Sequence, residues 1–92
     1  MKHLDIRVIG KVQGVFYRDT SKAVADQLGV KGIVKNESDG TVSIEAEGDD
    51  FSLELFVEFC HKGSDRAEVE RVEVSESEVK HYRNFEVIRR AR

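Results

Sequence analysis

The sequence predicts an α+β fold of the ferredoxin-like, split βαβ kind: βαββαβ plus a short C-terminal strand, as one antiparallel sheet with two helices on one face. Three observations predict it. Apolar residues alternate with polar ones in four or five short stretches, two stretches of helical periodicity separate them, and no internal repeat or linker breaks the series. The handedness of crossovers then makes the first and second strands parallel.

Each element has its own signal. Leu4, Ile6 and Val8 alternate with Asp5 and Arg7, the period of a half-buried strand. After a glycine-bracketed turn, Tyr17, Val24 and Leu28 recur at helical spacing, with Ala23 and Ala25 small enough to let the helix sit close. Gly29 is placed as its C-cap. Val30 to Lys35 reads as a second strand, and Asp39-Gly40 is a hairpin turn signal. Beyond it Val42, Ile44 and Ala46 alternate against Thr41, Ser43, Glu45 and Glu47. Asp49 or Asp50 can cap a second helix, in which Leu55, Phe56, Phe59 and Cys60 form one stripe. His61 and Lys62 suit its last turn, and Gly63 stops it. Ala67 and Val69 alternate, but the phase shifts before Val72 and Val74, predicting a late strand start or a bulge. Phe85 and Val87 form the short last strand.

Composition bounds the rest. Ninety-two residues suit one domain, 1–92, with 36% charged and 39% hydrophobic residues as in a soluble globular chain. The net charge of −3 argues against a general nucleic-acid binder. The open face of the central strands offers Asp5, Arg7, Thr41, Ser43 and Glu45, not the aromatics an RNA-binding sheet uses. No apolar run approaches the ~18 residues of a membrane span, and Met1 to Asp5 lacks a signal-peptide core. Cys60 is alone, so no internal disulfide forms. A cytoplasmic monomer with no membrane or nucleic-acid partner is expected, and Asn36-Glu37-Ser38, a glycosylation pattern, is read as coincidence.

The stretch Gly10-Lys11-Val12-Gln13-Gly14-Val15-Phe16-Tyr17-Arg18 is a candidate anion cradle. A glycine-rich loop feeding a helix start points free N–H groups outward, and Arg18 adds a planar fork for phosphate or carboxylate oxygens. Glycines and an arginine used only for packing and capping are the alternative. Distance arithmetic adds Asn36. A helix from about Asp19 to Gly29 carries the chain away by ~16 Å. The strand Lys31 to Asn36 returns it by roughly 17 Å, so Asn36 ends level with the cradle. A plain strand-end asparagine before a turn is the other reading. Lys11 and Lys35 can add positive potential nearby or be surface charge. His3, His61 and His81 have no metal spacing and read as ordinary surface histidines. Cys60 reads as a small core residue, and Glu68, Glu70, Glu73, Glu76 and Glu78 as a solvated strand face.

Those residues also carry a resemblance. The loop Gly10 to Arg18 resembles the signature loop of the acylphosphatase family; Gly32-Ile33-Val34-Lys35-Asn36 with Asp39-Gly40-Thr41-Val42 resembles its second signature. The tail Phe85-Glu86-Val87-Ile88-Arg89-Arg90 fits as well, so nearly the whole chain is covered. The resemblance implies the same fold and metal-independent hydrolysis of acyl phosphates to carboxylate and inorganic phosphate. It further implies that Arg18 binds the phosphoryl group and Asn36 orients the attacking water. Backbone amides of Gln13, Gly14, Val15, Phe16, Tyr17 and Arg18 would hold the phosphoryl oxygens, with no cofactor and no metal. Departures are few: Ile33 where relatives often have Trp, Gly63-Ser64 for a common Gly-Pro, and an acidic Glu37 after Asn36 that either repels an anion or points to solvent. A non-catalytic module binding an acyl or carbamoyl phosphate is the alternative, and the presence of both Arg18 and Asn36 favours the enzyme.

Overall fold

In the computed structural model, which describes residues 1–89, the strands are β1 (Lys2–Lys11), β2 (Lys31–Asn36), β3 (Val42–Gly48), β4 (Glu68–Ser77) and β5 (Phe85–Ile88). The helices are α1 (Tyr17–Leu28) and α2 (Asp50–Lys62). Arg90, the last residue of the tail motif, lies outside the described residues. The sheet order is β4-β1-β3-β2-β5. β3 pairs antiparallel with both β1 and β2, so β1 and β2 run parallel with β3 inserted between them, the split βαβ expected. The appended β5 joins β2 in parallel and extends the antiparallel core by one edge.

Both helices pack on the face formed by Ile6, Val8, Val34, Val42 and Ile44. From α1 the buried side chains are Tyr17, Ser21 and Ala25, with Val24 and Leu28 partly covered; Ala23 faces solvent instead of the sheet. Ser21 is accommodated because its hydroxyl donates to the Tyr17 carbonyl at 2.7 Å. In α2 the stripe is Leu53, Phe56 and Cys60, at i, i+3 and i+7, and Leu55 lies half-covered beside it. Asp49 is the cap, its carboxylate accepting from the Ser52 amide at 2.7 Å.

The phase shift in β4 is a bulge. Ile9 pairs with Arg71 but Gly10 with Val69, leaving Glu70 without an opposite residue. Gly10 adopts φ 138°, and a Cβ there would stand 2.8 Å from the Glu70 nitrogen and closer still to the Glu68 carbonyl. Gly10→Ala therefore costs about 2 kcal/mol or more. Urea unfolding reads it, and an unchanged midpoint would show that the bulge absorbs a side chain.

At the far end of the sheet the structure corrects one expectation. His3 is fully buried, not a surface histidine. The connection 78–84 runs from edge strand β4 toward the opposite edge strand β5, and its residues roof the ring: Tyr82 stacks on His3 with centroids 6.2 Å apart. His3 Nδ1 lies 2.7 Å from Glu47, also fully buried, and Nε2 lies 3.1 Å from Asp5. Glu47 accepts from the Lys80 and Tyr82 amides, while Glu45 accepts from the Lys80 ammonium and the Tyr82 hydroxyl, each at 2.8 Å. His61 and His81 are exposed, as expected.

Candidate active site

The sequence between β1 and α1 folds as a loop whose amides have nowhere to go. Gly14 (φ 73°) and Phe16 (φ 62°) are both left-handed, and a non-glycine residue in that region marks a constrained site. Phe16 occupies the N-cap of α1 without a capping side chain, and the residue is 69% exposed. Among the described residues, none of the Gln13–Arg18 amides donates a hydrogen bond to another protein group. Alternating left- and right-handed residues turn such amides toward one point, a concavity that suits an anion, and the helix dipole adds to it.

Three side chains brace this loop. Gln13 Nε2 donates to the carbonyls of Glu37 and Thr41 at 2.8 and 2.9 Å, tying the loop to the β2–β3 turn. Ser64 donates to the Val15 carbonyl at 2.7 Å. Tyr17 is buried, its hydroxyl donating to the Cys60 carbonyl at 2.8 Å; burial foremost pushes its pKa well above the usual phenol value. Only the Tyr17 amide, not its ring chemistry, is available to the loop. Burial likewise pushes the Cys60 thiol up to about 12, which leaves it inert at neutral pH.

A cavity of about 230 Å³ opens on the loop, and Gly14, Phe16, Arg18, Asp19, Asn36 and Arg89 line it. Arg18 and Asn36 thus meet, as the distance arithmetic requires. One Arg18 nitrogen donates to the Ile88 carbonyl at 3.0 Å, which fixes the guanidinium. Asn36 sits at the last pair of β2, opposite Val42. Its Oδ1 is buried and, among the described residues, is the one buried side-chain polar atom with no hydrogen-bond partner. Such an atom costs folding free energy unless something else meets it.

Lys35 and Glu37 project to the other face of the sheet, into a depression of about 540 Å³. Glu37 bonds Ser43 there, so its carboxylate is not in the cradle. That depression is larger, and its two cations face carboxylates, Arg7 with Asp39 and Lys35 with Glu37. Among the described residues, one group has metal-ligand spacing: His3, Asp5 and Glu45. It lies roughly 26 Å along β1 from the cradle at ~3.3 Å per residue, and Lys80 and Tyr82 already occupy Glu45. Arg89 is the site residue that sequence reasoning missed. Its position inside the tail motif was the available signal.

A model of one protein family, described as Acylphosphatase, matches residues 4–87. The chain belongs to the acylphosphatase family. The acylphosphatase of Ligilactobacillus salivarius is 48% identical over 88 residues, covering 95% of this chain and 98% of that protein. The acylphosphatase of Archaeoglobus fulgidus is 44% identical over 84 residues, 91% and 94% of the two chains. The crystal structure of acylphosphatase from Bacillus subtilis superposes with a TM-score of 0.93 at 37% identity, covering 96% and 99%. By this kinship the chain is a hydrolase acting on acyl phosphates, and the ferredoxin-like fold is common to the family.

Proposed function

We propose that this acylphosphatase hydrolyses carboxyl phosphates by in-line attack of a water held by Asn36 on a phosphoryl group held by Arg18 and the loop amides. The single cavity that Arg18 and Asn36 line together carries this reading, and the unpartnered Asn36 Oδ1 supports it. The Gln13–Arg18 amides and the Arg18 guanidinium donate to the equatorial oxygens, where charge concentrates in the transition state. Turned toward the cavity, the Asn36 carboxamide accepts from the water through Oδ1 and aims the water's lone pair at phosphorus. A new O–P bond forms, the P–O bond to the acyl group breaks, and its electron pair leaves with the carboxylate. The water proton passes to a phosphoryl oxygen, because a carboxamide is too weakly basic to take it.

No general acid is needed: the leaving carboxylate has a pKa near ~4 and departs unprotonated. Positioning and fixed charge are then the enzyme's whole contribution. A site that reads mainly the phosphoryl group accepts acetyl phosphate or carbamoyl phosphate alike, and inorganic phosphate is product and competitive ligand. Acetyl phosphate hydrolysis in excess chelator tests this. Sustained turnover is the expected result; phosphate binding without hydrolysis would make the chain a binding module.

A further inference from the structure

We propose that Arg89 sustains substrate affinity by cancelling the charge of Asp19 at the mouth of the cradle, an inference that rests on the proposed roles of Arg18 and Asn36. Asp19 lies in the first turn of α1, next to Arg18 in the chain, and both line the cavity. A carboxylate there suits the helix dipole but opposes a phosphoryl dianion arriving at the same helix end. Arg89, one residue beyond β5, places Nη2 2.6 Å from Asp19 Oδ1 and lines the same cavity.

Both side chains are more than half exposed, so the pair adds little to folding. Its effect falls on the local field. With Arg89 present the mouth has two guanidinium groups against one carboxylate; without it, Arg18 and Asp19 cancel and the loop amides with the helix dipole are left to attract an incoming anion. The Ile88 carbonyl that holds Arg18 belongs to the neighbouring residue, so the tail could act through position instead. The two modes differ in what rescues them.

The test compares Arg89→Ala, Arg89→Lys and Asp19→Asn/Arg89→Ala with wild type, using acetyl phosphate as substrate and inorganic phosphate as inhibitor. Arg89→Ala should raise KM and the phosphate inhibition constant by about 10-fold at low salt, with kcat within about 2-fold and the effect shrinking as salt screens it. Arg89→Lys should keep most of the affinity, and adding Asp19→Asn should restore it. An unchanged KM in Arg89→Ala, or a kcat loss that Asp19→Asn does not reverse, overturns the proposal. Arg18→Ala is the reference: if that variant keeps full activity, the underlying site reading fails, whereas an inactive Arg18→Ala beside a normal Arg89→Ala defeats this inference alone.

Discussion

Asn36→Ala is expected to lower kcat for acetyl phosphate by about 10²-fold or more while leaving KM near its wild-type value. That split follows from the role: a group that touches only the water contributes to the transition state and little to substrate binding. Arg18→Ala should differ, losing kcat to a similar extent and raising KM as well, because the guanidinium holds the phosphoryl group in both states. Stability separates loss of chemistry from loss of fold. Since Asn36 Oδ1 is buried without a protein partner, deleting it removes a desolvation penalty, and the alanine variant should unfold at an equal or higher denaturant concentration. Steady-state kinetics beside urea unfolding makes the check. An Asn36→Ala enzyme of normal kcat, or one inactive because unfolded, would contradict the assignment.

The largest stability effect is expected at the other end of the sheet. His3→Ala should cost roughly 3–5 kcal/mol, because it leaves Glu47 buried and charged without its counter-ion. Both ring nitrogens of His3 face carboxylate oxygens, at 2.7 and 3.1 Å, and a neutral imidazole has only one N–H to offer. The ring is therefore the imidazolium. Burial, the strongest single influence, pushes its pKa down, but the hydrogen bonds and charges of Glu47 and Asp5 together outweigh it and hold the value above the ordinary 6.5. A raised folded-state value means the contribution is complete below 6.5 and lost as pH rises through the folded pKa. Glu45 and Glu47 shift the other way. Burial raises them, but Lys80 and Tyr82 on Glu45, and His3 with the Lys80 and Tyr82 amides on Glu47, hold both below the ordinary 4.5. Their contribution is complete above 4.5 and lost as pH falls through the folded values. The network thus stabilises most between 4.5 and 6.5. Urea midpoints across pH should show an alkaline decline in wild type that is absent in His3→Ala. A midpoint unmoved by the substitution, or an identical alkaline limb in both proteins, would show that the network holds nothing.

Much of this was legible locally. Alternation in β1 and β3, the Asp49 cap, the Gly29 stop and the phase slip that became the Glu70 bulge are all written in neighbouring residues. That Asn36 ends level with the cradle followed from element lengths, and the resemblance chose its pairing with Arg18 over a plain strand-end asparagine. What escaped depends on contacts distant in sequence. His3 stands in phase with Asp5 and Arg7 on the open face, and only the return of residues 78–84 across that end buries it. Arg89 reaches the cradle because β5 pairs in parallel with β2, and no local signal encodes that choice. Leu53 replaces Leu55 on the α2 stripe while Phe56 and Cys60 stay, because the helix is apolar on several sides and the sheet settles which side packs.

The most direct test of the central claim is single-turnover hydrolysis of an acyl phosphate in water enriched in heavy oxygen. Attack on phosphorus by the water that Asn36 orients places the label in inorganic phosphate and none in the released carboxylate. Label in the carboxylate would mean that water attacks the acyl carbon, and neither Arg18 nor Asn36 could then have the role proposed for it.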